Sequence, residues 1–190
     1  MRNTVLLGGN GYIGREIIKY WLKKDKDMVF YVISRKGSSE IKDDRVINLK
    51  ADVSDYESTV KVLPEKIDYI INLVGGPEKN EKIFNQKNRK PAEVMLRIAE
   101  EKNVRTMGFI GGKLGPKAFI EVKKELIEKL SKSRIRLEYV EPTIVYGNGR
   151  NDTLAKLIPI FKFLGLFNKN MKPVQVDDIV RELVSNLEGK

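Results

Sequence analysis

Short apolar runs alternate along most of the chain with stretches in which apolar residues recur every three or four positions. The runs fall at Thr4–Leu7, Val29–Ile33, Val46–Leu49, Tyr69–Val74, Met107–Ile110 and Leu137–Val140, rich in β-branched and aromatic residues. Each is almost continuously apolar, the pattern of strands buried on both faces. Helical periodicity fills the intervals at Tyr12–Leu22, about Tyr56–Leu63, about Glu93–Lys102 and Phe119–Leu130. A strand–helix rhythm sustained to Val140 implies right-handed crossovers and a parallel sheet. The predicted fold class is therefore α/β, a doubly wound parallel sheet, with residues 1–190 forming one domain.

After Val145 the rhythm changes. Gly147, Gly149, Asn151 and Asp152 predict a loop, and Leu154–Leu166 an apolar helical patch. Pro173–Val176 reads as extended, and Asp177 or Asp178 is placed to cap a last helix from Ile179 to about Leu187. Residues 148–190 are expected to form a short C-terminal extension over the carboxyl edge of the sheet, where α/β proteins bind ligands.

The junction of the first strand and helix carries the sharpest chemical signal. Gly8-Gly9-Asn10-Gly11-Tyr12-Ile13-Gly14 contains G-x-G-x-x-G between a strand and an amphipathic helix. Such a turn brings backbone close to a pyrophosphate and aims the N–H groups of a helix N-terminus at it. A Rossmann dinucleotide site is the expectation. The second strand ends Ser34-Arg35-Lys36 without the carboxylate that would hold the ribose hydroxyls of NAD. A hydroxyl and two cations suit the 2′-phosphate of NADP instead, with Arg35 as a bidentate fork, so NADP is expected over NAD. Asp52 is a candidate acceptor for the adenine amino group, with Val53 packing on the ring. Leu73, Val74 and Gly75 are candidates for backbone passing close beneath the cofactor.

Composition restricts the chemistry further. The chain has no Cys and no His, which excludes disulfides, thiolate nucleophiles, imidazole bases and zinc sites built on these residues; no metal is expected. Acid–base work would fall to Lys, Tyr, Asp, Glu, Ser or a cofactor. Lys and Arg number 36 against 26 Asp and Glu, for a net charge of +10. The cations are dispersed among Glu-rich runs such as KKELIEKLSK and accompany no nucleic-acid-binding motif, so a nucleic-acid role is not expected. Lys/Glu enrichment without Cys also suits a protein from a hot environment. The apolar start MRNTVLLGG is too short for a signal or membrane segment; the expected location is the cytoplasm.

Together these segments resemble the atypical branches of the short-chain dehydrogenase/reductase superfamily. GGNGYIG is similar to the fingerprint of NmrA-like proteins and of relatives of the nucleotide-binding accessory subunit of respiratory complex I. Asn88, expected at the start of a helix, resembles the family's asparagine. Glu141-Pro142-Thr143-Ile144-Val145-Tyr146-Gly147 resembles its RPxxvyG segment, placing Pro142 at the cofactor, and Pro173–Ile179 resembles its C-terminal PvxVxDvA. The resemblance implies an NAD(P)-binding Rossmann domain, NAD-dependent epimerase/dehydratase-like. It also implies a serine after the fifth strand and Tyr-x-x-x-Lys on the next helix as catalytic groups. Here Lys123 occupies the lysine position, Phe119 the tyrosine position and Gly111, within Gly111-Gly112, the serine position. Three functions remain open. They are an NADP(H)-binding sensor, regulator or non-catalytic component; a reductase or sugar-nucleotide epimerase/dehydratase relative with non-standard catalytic residues; and a basic interaction module for which the fold is only scaffold.

Overall fold

The computed structural model describes residues 1–150, 153–168 and 171–189. The two predicted loop residues Asn151 and Asp152 lie outside them. Six parallel strands form the main sheet: β1 (Arg2–Leu7), β2 (Met28–Ser34), β3 (Val46–Lys50), β4 (Tyr69–Asn72), β5 (Thr106–Ile110) and β6 (Arg136–Val140). Their spatial order is β3-β2-β1-β4-β5-β6. The order reverses direction between β1 and β4, which opens a crevice at the carboxyl edge beside the end of β1.

Strand alternation sends successive side chains into two cores. On one face Leu6, Phe30, Val32 and Ile71 meet Ile17, Ile18 and Trp21 of α1 (Tyr12–Lys24) and Val180, Leu183, Val184 and Leu187 of α6 (Val176–Glu188). On the other, Val5, Leu7, Ile33, Ile70, Met107 and Phe109 meet Met95, Ile98 and Ala99 of α3 (Glu81–Glu101) and Val122, Leu126 and Leu130 of α4 (Lys117–Ser131). Full burial of each such Leu or Ile contributes about 1.5–3 kcal/mol. Between β3 and β4 lies the short α2 (Tyr56–Val60), capped by Asp55, whose side chain accepts the Ser58 N–H. Trp21 Nε1 donates to Glu188 at 3.0 Å and Lys24 pairs with the same carboxylate at 2.6 Å, which ties α1 to the end of α6.

Several boundaries differ from the sequence reading. α3 starts at Glu81, well before Glu93, because Asn80 caps it by accepting the Ile83 N–H at 3.0 Å. Its first half, EKIFNQKNRK, is mostly polar and gives almost no hydrophobic period. Asn88 therefore sits mid-helix rather than at a helix start, and Pro91 is accommodated inside although it lacks the N–H that would reach the Lys87 carbonyl. β4 ends at Asn72, before Leu73 and Val74, and α2 stops at Val60. The last helix begins at Val176, with Gln175 in the cap position; Asp177 and Asp178 lie in its first turn and do not cap it. Negative charge there still favours the helix N-terminus.

The tail contributes β7 (Val145–Tyr146), α5 (Thr153–Phe167) and β8 (Val174–Gln175), with β7 and β8 pairing in parallel. Asn148, at φ +45°, joins this region to the body: its amide donates to Glu16 of α1 at 2.6 Å and to Asp177 of α6 at 2.9 Å.

Candidate functional site

At the carboxyl edge, a cleft of about 460 Å³ opens between the turn after β1 and the loops after β4, β5 and β6. Residues 8–14 make the turn, and internal sterics dictate most of its glycines. A Cβ on Gly14 would lie 2.4 Å from the Gly9 carbonyl oxygen, and one on Gly9 2.8 Å from Leu6 Cβ. Gly8 has φ +80°, and a side chain there would strike Val74. Gly11 differs: its Cβ would meet only the Gly8 carbonyl oxygen, at 3.5 Å. Nothing inside the fold demands glycine at 11. Gly11 also caps α1 without a side chain, and the first turn of α1 has no acidic residue. The N–H groups of that first turn face the cleft through Tyr12, Ile13 and Gly14, while the Gly11 N–H donates to the Gly8 carbonyl at 3.1 Å.

The end of β2 adjoins the turn through Asn10. Its Nδ2 donates to Ser34 Oγ at 2.8 Å and to the Ser38 carbonyl at 2.5 Å. Ser34 Oγ also accepts the Gly37 N–H at 3.1 Å. With two N–H donors on its oxygen, Ser34 has its hydroxyl proton left to donate. Arg35 and Lys36 are exposed beside it. Asp52 faces the same edge, but its carboxylate accepts both the Ser54 N–H at 3.0 Å and the Ser54 hydroxyl at 2.7 Å. These bonds, helped by Arg35, hold it below the usual carboxylate range. Val53 is buried in the core with Val5 and Leu7, not presented as an open packing surface.

The floor of the cleft is Leu73, Val74, Gly75 and Gly76. Asn88 clamps this segment. Its Oδ1 accepts the Gly76 N–H at 2.9 Å while Nδ2 donates to the Gly76 carbonyl at 3.0 Å and to Phe84 at 3.0 Å. Gly75 leaves room for the clamp, since a Cβ there would lie 2.8 Å from Lys123 Nζ and 2.9 Å from Asn88 Oδ1.

Lys123 is 4% exposed. Its ammonium donates to the Ile110 carbonyl at 2.9 Å and lies over the rings of Phe109 and Phe119, at 4.5 and 5.6 Å from their centroids. Burial lowers its pKa from 10.5 to about 8. One helical turn earlier Phe119 lines the same cleft. The two glycines after β5 point differently. A Cβ on Gly111 would run into Glu141 Cγ at 2.8 Å and Ile127 at 3.1 Å. On Gly112 it would stand 3.3 Å from Phe119 Cε1 and 3.8 Å from Cζ, the carbon that would carry a tyrosine hydroxyl. Gly112 is the position facing Phe119.

Pro142 lines the cleft beside Thr143, Ile144 and Val145, and Lys113 N–H donates to the Pro142 carbonyl at 3.0 Å. Opposite, Tyr12 donates its hydroxyl to the Gly147 carbonyl at 2.7 Å, and the Arg150 guanidinium lies 5.0 Å from its ring centroid. Leu114, Leu157 and Phe161 add apolar wall. Arg150 and the two α5 residues escape sequence reasoning because they reach the cleft from the irregular tail. Of the predicted positions, Gly11, Tyr12, Ile13, Gly14, Leu73, Val74, Gly75, Gly111, Phe119, Lys123 and Pro142 converge on one cleft. Gly8, Gly9 and Asn10 support the turn from behind, and Ser34, Arg35, Lys36 and Asp52 extend its edge. Among the described residues, no group of three His, Cys, Asp or Glu side chains is placed to hold a metal ion.

The sequence profile of the NAD dependent epimerase/dehydratase family matches residues 4–114. No curated protein sequence matches the chain. Among solved structures, the Bordetella bronchiseptica enzyme WbmH in complex with NAD+ is similar at a TM-score of 0.76 and 15% identity, over 100% of this chain and 73% of that one. A UDP-glucose 4-epimerase with UDP-glucose from Thermotoga maritima gives 0.74 and 16%, over 98% and 73%. A short chain dehydrogenase family protein from Francisella tularensis gives 0.71 and 16%, over 98% and 91%. At these identities the structural likeness concerns the fold.

Proposed function

Because the chain belongs to the NAD dependent epimerase/dehydratase family, within the short-chain dehydrogenase/reductase superfamily, we propose that it binds NADP(H) in the cleft. In this reading it serves as a dinucleotide-responsive, non-catalytic component. The observation that carries binding is Gly11. Its side-chain space meets only the Gly8 carbonyl oxygen, at an ordinary contact distance of 3.5 Å, as expected where backbone must approach a pyrophosphate. The N–H groups of Tyr12, Ile13 and Gly14 hold the phosphates, and Ser34, Arg35 and Lys36 hold a 2′-phosphate. Leu73 to Gly75 and Pro142 bracket the nicotinamide half, with Lys123 beneath its ribose. A bound NADPH supplies hydride chemistry at its nicotinamide. The chain's own groups add little to that chemistry in this reading: Phe119 has no hydroxyl and Gly112 no side chain, so neither position offers a hydroxyl to a substrate oxygen.

Thermal unfolding with each nucleotide at equal concentration tests the cofactor assignment. Ligand at a hundredfold excess over Kd stabilises by about 2.7 kcal/mol, which in a chain of this size raises Tm by roughly 5–10 °C. NADPH is expected to give the larger shift, and Arg35→Ala to lose ten- to a hundredfold in NADPH affinity and with it the preference. Equal shifts by NADPH and NADH would remove the Arg35 assignment.

A second reading, a reductase or sugar-nucleotide epimerase/dehydratase relative with non-standard groups, draws on Lys123. A pKa of about 8 leaves part of its population neutral and able to accept a proton near pH 7–8. A carbonyl-substrate panel separates the two. The unmodified protein is expected to show no NADPH oxidation, while Phe119→Tyr with Gly112→Ser gains a trace. Sustained turnover by the unmodified protein would favour the enzyme.

A further inference from the structure

Polarity divides the side chains of the cleft. Among its described lining residues only Tyr12, Thr143, Lys123 and Arg150 carry polar side chains, and Asp, Glu, Asn, Gln and Ser do not occur there. All four polar groups donate to the protein's own backbone. Tyr12 reaches the Gly147 carbonyl at 2.7 Å, Thr143 the Lys172 carbonyl at 2.5 Å and Lys123 the Ile110 carbonyl at 2.9 Å. The Arg150 guanidinium donates to the Val145 carbonyl and lies beside the Tyr12 ring, next to the phosphate-binding turn.

Away from the glycine turn the wall is hydrocarbon. Leu114 comes from the loop after β5, Phe119 from α4, Ile144 from the segment before β7, and Leu157 and Phe161 from α5. We propose that this part of the cleft takes a small, uncharged, apolar molecule beside the nicotinamide, and not a nucleotide sugar. The inference rests on the reading that a dinucleotide fills the glycine-turn side.

The chemistry of the wall selects this class of ligand. Each hydroxyl of a sugar ring both donates and accepts, and a site selective for such hydroxyls answers them with carboxylates, amides or hydroxyls. Here they would face carbon, and a hydroxyl buried without a partner costs affinity. A nucleotide sugar also brings two phosphates of its own. The cations lining the cleft, Lys123 and Arg150, stand at its floor and beside the glycine turn, where the dinucleotide lies. Room is short as well, since the cleft of about 460 Å³ must also hold the nicotinamide half. An apolar molecule asks for no polar partner: it displaces water from Leu114, Phe119, Ile144, Leu157 and Phe161.

Calorimetric titration tests it, with indole as the apolar probe and UDP-glucose as the nucleotide sugar. The NADPH-saturated protein is expected to bind indole at submillimolar concentration and not to bind UDP-glucose. Leu157→Gln with Phe161→Gln should weaken indole at least about tenfold, while Tm stays within a few degrees of the parent's and keeps its response to NADPH. Phe163→Gln, at an exposed α5 position outside the cleft, should leave indole binding unchanged. UDP-glucose binding to the NADPH-saturated protein overturns the proposal, as does an absence of indole binding. Indole binding that Phe163→Gln abolishes and the Leu157/Phe161 variant retains also overturns it, by moving the probe to the outside of α5. The indole titrations are run without nucleotide too. A protein whose Tm ignores NADPH but which binds indole through Leu157 and Phe161 would refute the cofactor reading and leave the apolar site standing.

Discussion

Gly14→Ala should lower the unfolding free energy by about 4 kcal/mol or more and Tm by roughly 10 °C, with or without nucleotide. The added methyl would sit 2.4 Å from the Gly9 carbonyl oxygen and 2.7 Å from Gly9 Cα. Both are backbone atoms, so no rotamer change relieves the overlap. Relief requires α1 to move away from the end of β1, and with it Ile17, Ile18 and Trp21, all fully buried. Gly11→Ala provides the contrast. Its methyl meets only one oxygen at ordinary contact distance, so Tm without ligand should fall by no more than a few degrees while the NADPH-induced shift disappears. Chemical denaturation of the two variants, each with and without NADPH, measures both quantities. A Gly14→Ala protein as stable as the parent would refute the packing account of the turn.

The second large effect is a pH dependence from Lys123. Burial lowers its pKa from 10.5 to about 8, so between those values the unfolded chain holds a proton that the folded chain has released. Stability therefore rises with pH across that window. Below pH 8 the ammonium is charged in both states and its desolvation opposes folding in full; above 10.5 it is neutral in both. The drop corresponds to about 3 kcal/mol. Lys123→Met, which keeps the buried stem and removes the charge, should abolish this component. The difference in unfolding free energy between parent and variant should thus change by about 3 kcal/mol from pH 8 to pH 10.5, read from urea titrations without nucleotide. A constant difference would mean that the ammonium is better solvated, or better held by the Ile110 carbonyl, than its burial implies.

Much of this architecture is legible in the residues because parallel strands covered on both faces must be apolar at nearly every position. Thr4–Leu7 and Tyr69–Ile71 could hardly be anything else. The glycine turn is legible for a related reason: backbone placed within contact distance of backbone leaves a compositional mark. The first half of α3 leaves none. Apart from the buried Asn88 its polar residues are exposed or half-buried, and only Asn80, one capping side chain, announces its start. The distinction between Gly111 and Gly112 depends on how the chain turns as it leaves β5, a direction that two identical letters cannot encode. Lys123 is similar. Among the lysines of α4 its spacing singles it out only by resemblance, and its burial follows from the inward face that it shares with Val122 and Leu126. The exposure of Ile160, Phe163 and Phe167 on α5 is likewise illegible, since an all-apolar segment does not say which side stays bare.

The locking of Gly8, Gly9 and Gly14 by the protein's own atoms bears on recognition speed. A phosphate-binding loop that orders only on contact must surrender conformational entropy at each encounter, which weakens affinity and slows capture. Here the N–H donors at the head of α1 are aimed before a ligand arrives, because carbonyl and methyl contacts, not the ligand, set the path of the chain. Capture at this turn should therefore proceed at a rate governed by diffusion and the +10 charge, with residence time left to the exposed cations at the end of β2.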